Sequence, residues 1–191
     1  GGALARPFKT HHNALDMPLN MRIAPELFLK RLLVGGFEKV YELSRNFRNE
    51  GISTKHNPEF TMLEWYMAYG TREGMMQLME SMLRHVVTTV CGGHAIPYGD
   101  HTVDFTPAFQ RHTMRDALKT FANFTEADLE HVDGLKKALV REGGTPLPKE
   151  DKDNQLSYGE IVQYCGEELV EHQLIQPTVI TDYPIETSPL T

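Results

Sequence analysis

The chain has 191 residues, 40% hydrophobic and 24% charged, which is the balance of a globular protein with room for one sizeable domain. No apolar run approaches the ~18 residues of a membrane span and no secretory leader is legible, so membrane readings fall away and a cytoplasmic setting follows by default. The formal net charge of −7 offers no basic face at the level of the whole chain, so a nucleic-acid partner would make its main contacts elsewhere.

The spacing predicts a helix from Pro25 to Val34. Proline suits a first helical turn, where its missing N–H is not needed, and Gly35-Gly36 stops the helix. Glu26 then stands at the helix's N-terminal end. From Val40 to Glu50 the residues alternate: Tyr41, Leu43 and Phe47 point one way, and Glu42, Ser44, Asn46, Arg48 and Glu50 the other. Residues 60 to 68 repeat the device, with Phe60, Met62, Glu64 and Tyr66 on one face and Thr61, Leu63, Trp65 and Met67 on the other. Period two means strand. Between them, Gly51 to Glu59 has the Gly, Ser, Thr, Asn and Pro of a loop. Two neighbouring strands joined in this way pair most simply as an antiparallel hairpin.

Arg72 to Val90 predicts a second helix, whose Met75, Met76, Leu78, Met79, Met82, Leu83 and Val86 read as core filler rather than a partner groove. A short strand follows over 101–105 and a helix from about Thr113 to Phe121, with Thr113 and Asp116 as a capping box using the shorter acid. Residues 122–156 are polar, with a helix from Glu126 to Arg141 ended by Gly143-Gly144, and read as a variable insertion with a solvated face. Ser157 to Leu174 predicts an amphipathic helix capped by Ser157 with Glu160, before extended chain at Thr178 to Thr181. The fold class is therefore α+β, an antiparallel sheet flanked by helices.

Cys91 and Cys165 are far apart and read as two reduced, buried thiols. Adjacent His11 and His12 point apart on an extended chain and cannot easily share a metal ion, so a structural or substrate-edge role suits them, and no metal-ligating set emerges. No glycine-rich phosphate loop of the Walker type appears, nor a Ser-His-Asp or Cys-His motif.

Chemistry concentrates in the hairpin over 40–68. Its polar face would gather Arg48, Glu50, Phe60, Glu64 and Tyr66. An antiparallel pair usually wets one side, so the bland reading is a solvated outer face. Three features weigh against it. Glu64 lies between Leu63 and Trp65, where a carboxylate is expensive without a cationic partner. Arg48 offers a planar fork for carboxylate or phosphate oxygens. Phe60 follows a proline-containing loop at a strand start, where a ring can meet a base.

The runs Phe47-Arg48-Asn49-Glu50 and His56-Asn57-Pro58-Glu59-Phe60-Thr61-Met62-Leu63-Glu64-Trp65-Tyr66 resemble motif 2 of the class II aminoacyl-tRNA synthetases, in the form lysyl-tRNA synthetases use. Gly1-Gly2-Ala3, Arg6-Pro7-Phe8, the run from His11 to Leu19, and Arg22-Ile23-Ala24-Pro25-Glu26-Leu27 are similar to that family too, as is the tail with Gln176-Pro177-Thr178 and Asp182-Tyr183-Pro184. The match is dense over 1–70 and looser over 98–118 and 157–190. The resemblance implies that Arg48 bridges the amino-acid carboxylate and the α-phosphate of ATP. It implies that Glu50, His56 and Asn57 hold the triphosphate and adenine, and that Phe60 stacks on the base. Lysine would be recognised by Glu26, Glu64, Tyr66 and the Gly2 backbone. The implied reaction activates lysine as lysyl-adenylate and transfers it to tRNA(Lys).

The resemblance also implies parts that no segment here matches: a dimer-forming element, the main magnesium ligands, the glycine-rich motif 3, and an anticodon-binding domain. Residues 1–191 thus read as part of a catalytic domain that on its own has little or no activity and whose parent protein is a homodimer using ATP and Mg2+. Two other readings stay open. One is a synthetase paralogue that lysylates a translation elongation factor, against which Ala24-Pro25-Glu26 speaks. The other is a non-catalytic scaffold. Aspartyl and asparaginyl synthetases share the subclass fold, but the paired Glu26 and Glu64 fit a cation better.

Overall fold

The structure, a computed structural model, describes residues 5–54, 56–147 and 156–188. The chain forms two compact units, Gly1–Arg72 and Glu73–Thr191.

The first unit opens with an antiparallel hairpin, β1 (Lys9–His12) and β2 (Met17–Asn20), joined by a 3-10 turn over Asn13–Leu15. Sequence periodicity did not mark these strands, because Lys-Thr-His-His and Met-Pro-Leu-Asn do not alternate. The two histidines organise the turn. His12 Nδ1 accepts the Leu15 N–H at 3.2 Å, and His11 Nε2 lies 3.0 Å from Asp16 Oδ1. Helix α1 (Glu26–Val34) follows, starting under Pro25 as its composition requires. Strands β3 (Lys39–Phe47) and β4 (Glu59–Met67) then pair antiparallel, with Glu42 opposite Glu64 and Asn46 opposite Phe60.

Which side of this hairpin is inward differs from a simple polar-out expectation. Tyr41 and Leu43 are 75% and 66% exposed, whereas Glu42 and Ser44 are half-buried and Asn46 is fully buried. The cause is α1, which packs against both strands on the side that carries Glu64 and Tyr66. Facing carboxylates across a strand pair repel. Each has a partner here: Glu42 pairs with Arg22, and Glu64 accepts from the Tyr66 hydroxyl.

In the second unit, α2 (Arg72–Cys91) leads to an antiparallel hairpin of β5 (Ala95–Tyr98) and β6 (His101–Asp104). Strand β7 (Gln110–Thr113) runs parallel to β8 (Thr178–Thr181). Between these lie α3 (Met114–Ala122), a 3-10 turn at Ala127–Leu129, α4 (Val132–Arg141) and α5 (Tyr158–Leu169). Leu118, Leu129, Leu135, Leu139, Ile161 and Cys165 form the heart of its core. Residues 122–147 therefore contribute much of that core.

Three expectations change. The methionine stripe of α2 is not core filler throughout: Leu78, Met79 and Val86 are exposed, and only Glu80 and Val87 of that helix are buried. Polar contacts anchor α2 instead. Arg84 donates to the Phe105 carbonyl at 2.6 Å and to Glu80 at 2.7 Å, and Glu80 also accepts the Phe109 N–H at 3.3 Å. The helix expected from Glu126 to Arg141 breaks at His131, which is extended at φ −141°. Thr125 and Asp128 close the preceding turn on each other at 2.8–3.2 Å, and Arg141 ties Asp128 back at 3.0 Å. These partners, Arg141 first, hold the Asp128 carboxyl far below the usual carboxylate range. Finally, Cys91 is exposed at the end of α2, and only Cys165 is buried.

The caps follow their sequence signals. Ser157 Oγ accepts the Glu160 N–H at 3.2 Å while Glu160 accepts the Ser157 N–H at 2.8 Å. Asp116 is too short to return to its cap's backbone, and takes the Thr113 hydroxyl at 2.7 Å instead.

Gly134→Ala should destabilise the second unit by about 1–2 kcal/mol, although alanine is the better helix former by ~1 kcal/mol. A Cβ at 134 would lie 2.6 Å from the Asp128 carbonyl oxygen and 3.0 Å from its Cα, backbone that cannot move aside cheaply. Thermal melting checks this, and a raised midpoint would show that α4 does not seat on that turn.

Burial pushes the Cys165 thiol up to about 12. In native protein at pH 8, a thiol reagent should therefore modify Cys91 and spare Cys165 until the chain unfolds. Unfolded, Cys165 ionises near its ordinary value of 9.0; folded, it keeps its proton to about 12. Its folded pKa is the higher, so stability is intact below pH 9 and falls as pH rises through that window, by up to ~1.4 kcal/mol per pH unit. Denaturant melts between pH 8 and 11 measure the slope.

Candidate active site

The β3–β4 connection builds a cleft. Just past β3, the Arg48 N–H donates to the Pro58 carbonyl at 2.8 Å and the Asn49 N–H to the Arg6 carbonyl at 2.8 Å, which fixes both ends of the loop. At its tip Ser53 and His56 exchange backbone bonds at 3.1 and 3.3 Å, and Ser53 Oγ meets His56 Nδ1 at 2.9 Å. The cavity so enclosed has a volume of about 310 Å³ and is lined by Arg48, Glu50, Gly51, His56, Asn57 and Phe60. That is the size of a small-molecule site.

Inside it the Arg48 guanidinium lies over the Phe60 ring, 5.1 Å from the centroid, and Nε reaches toward the Ile23 carbonyl at 3.4 Å. Stacking and the backbone contact hold the planar fork in place without consuming its terminal N–H donors. Such a site offers a fixed cation, a ring face, and the exposed imidazole and amide of His56 and Asn57 to an anionic, planar guest.

A second cluster lies on the same face of the hairpin, set by the pleat. Tyr66 donates to Glu64 Oε1 at 2.6 Å. Glu26, 8% exposed at the start of α1, accepts from Lys30 Nζ at 2.5 Å, and that ammonium sits 5.6 Å from the centroid of the Tyr66 ring. Burial, then the bond to Glu64 and the nearby carboxylates, raise the Tyr66 phenol well above its ordinary value, so it keeps the proton it donates to Glu64. Two acids and a phenol gathered in this way suit a primary ammonium.

The structure thus gathers Arg48, Glu50, His56, Asn57 and Phe60 in one cleft and Glu26, Glu64 and Tyr66 in one cluster. Gly2 lies outside the described residues. Sequence reasoning missed Lys30, although its position four residues after Glu26 on a helix was the available signal. It also missed Asn46, which is fully buried on this face with neither amide atom hydrogen-bonded, beside an unpaired Ser44 Oγ. No sequence pattern reports an unsatisfied amide. Among the described residues no group of three His, Cys, Asp or Glu is placed to hold a metal ion, and no helix is long and apolar enough to cross a membrane.

A strand–loop–strand cleft with a stacked arginine beside an acid cluster can seat an anionic, planar guest next to a cationic one. The family model for class II tRNA synthetases (D, K and N) matches residues 1–191, and the chain belongs to that family. Within it, the chain is similar to enzymes named lysine–tRNA ligase. It is 51% identical over its whole length to those of Enterobacter sp. (strain 638) and Escherichia coli O157:H7, and 50% identical to that of Cronobacter sakazakii. In each case it spans 37% of the relative's length.

Proposed function

We propose that this segment is the part of a lysine–tRNA ligase that binds ATP and lysine and joins them as lysyl-adenylate. Support comes above all from the juxtaposition on one hairpin face of an arginine-and-phenylalanine cleft with a paired acid cluster of buried Glu26 and half-buried Glu64. In this reading Phe60 stacks on adenine, His56 and Asn57 with Glu50 settle the nucleotide, and Arg48 bridges the α-phosphate and the lysine carboxylate. Glu26, Glu64, Tyr66 and the Gly2 backbone hold lysine.

The lysine carboxylate oxygen attacks the α-phosphorus. A P–O bond forms, the bond to the bridging oxygen breaks, and pyrophosphate leaves with its electron pair. No covalent enzyme intermediate is needed, so positioning and charge stabilisation carry the step. A ribose hydroxyl of tRNA(Lys) then takes the lysyl group and AMP leaves. In this reading a magnesium ion would accompany the triphosphate and offset part of its charge, with its main protein ligands expected outside this segment. A partial catalytic domain over 1–191, with 122–156 as an insertion, and a cytoplasmic homodimeric parent belong to the same reading. The acid pair supports lysine over aspartate or asparagine, whose side chains bring no cation.

Thermal-shift measurements with each of the twenty amino acids plus ATP test this. Lysine with ATP should raise the melting temperature. Stabilisation by aspartate or asparagine instead would overturn the lysine assignment.

A further inference from the structure

A lysine side chain already pairs with one acid of the cluster proposed to receive lysine. Lys30 Nζ lies 2.5 Å from Glu26 Oε1 and 5.6 Å from the centroid of the Tyr66 ring, whose hydroxyl is bonded to Glu64 at 2.6 Å. The pair is lopsided. The Glu26 side chain is 11% exposed and fixed at the helix start, while the Lys30 side chain is 44% exposed. The acid is part of the wall; the cation reaches in from the rim on a flexible stem.

We infer that Lys30 is an internal stand-in for the amino-acid ligand: its ammonium fills the Glu26–Tyr66–Glu64 cluster when no lysine is bound and swings out when the ligand's ammonium enters. The inference rests on the lysine-binding reading above. Its physical basis is that a buried carboxylate left without a cation is costly, so an empty site needs an occupant. Lys30 is well chosen for this. It presents the same primary ammonium on the same four-methylene stem as the ligand, so exchange preserves the charge and hydrogen-bonding of the cluster. A guest that displaced Lys30 without bringing an ammonium of its own would leave Glu26 unpaired. Lys30 thereby turns binding into cation-for-cation exchange.

Titration calorimetry of the chain with L-lysine at fixed salt tests this, comparing wild type with Lys30→Met, Lys30→Arg and Lys30→Gln. Lys30→Met should bind L-lysine about fivefold more tightly, the size of a part-exposed ion pair no longer competing. Its ligand-free melting temperature should fall at the same time. A merely structural ion pair would move affinity and stability in the same direction. Lys30→Arg, which keeps a cation, should return affinity to the wild-type value or below it. Lys30→Gln serves the same comparison if Lys30→Met fails to fold. Wild type that binds L-lysine, with Lys30→Met or Lys30→Gln binding it equally or more weakly, overturns the stand-in role and leaves the lysine reading intact. If neither wild type nor any variant binds L-lysine, the lysine reading falls and this inference with it.

Discussion

Arg48→Ala should lower lysine-dependent ATP–pyrophosphate exchange by about 10²–10³-fold in the protein carrying this segment, the loss seen when a preorganised charge stabiliser is removed. The guanidinium is stacked 5.1 Å from the Phe60 centroid and steadied 3.4 Å from the Ile23 carbonyl. Its direction is therefore set before any ligand arrives. Charge on the α-phosphoryl oxygens develops as pyrophosphate departs, so the defect should fall on kcat more than on KM for lysine. Folding should hardly change, because the long contact to Ile23 is weak and no carboxylate pairs with Arg48 among the described residues. Arg48→Lys should not rescue, since an ammonium neither lies flat on a ring nor offers two parallel donors. In the chain itself the matching readout is loss of the joint lysine-plus-ATP thermal stabilisation. Exchange at the wild-type rate in Arg48→Lys would remove the planar fork from the proposed chemistry.

The hairpin carrying this arginine was legible because two signals agree there: period-two alternation on both arms, and loop composition between them. Its register follows, since a slip by one residue would turn every side chain to the other face. Both caps built on Thr113 and Ser157 were legible for the same reason, as cap and partner are three residues apart. Features set by distant partners were not. Alternation tells which residues share a face, and Glu64 in an apolar strand spoke against a solvated polar side, but nothing in the pattern showed that α1 is what covers Glu42, Ser44 and Asn46. The parallel β7–β8 pair joins Gln110 to Thr178 across most of the second unit, and neither short strand has a pattern of its own. The break at His131 depends on Arg141 returning to Asp128, and the exposure of Leu78 and Met79 on core assembled by α3, α4 and α5 instead.

Glu26→Gln should weaken L-lysine binding by about 3–5 kcal/mol, roughly 10²- to 10³-fold or more, because it leaves a desolvated cation facing a neutral amide. Glu64→Gln should cost less. Glu26 is 8% exposed and stands in the first turn of α1, where the helix N-terminus favours a negative charge. Glu64 is only half-buried and already shares its charge with the Tyr66 hydroxyl at 2.6 Å. Glutamine preserves shape and one acceptor at either position, so the difference between the two variants reports charge rather than packing. Stability should move little, with Glu26→Gln losing about 1 kcal/mol from the dipole and the pair with Lys30. Calorimetry with L-lysine gives both affinities on one scale. Equal, small losses at the two positions would place the amino acid somewhere other than between α1 and the hairpin. A larger loss at Glu64 would make the tyrosine-linked acid, not the helix-borne one, the principal counter-charge of the ligand.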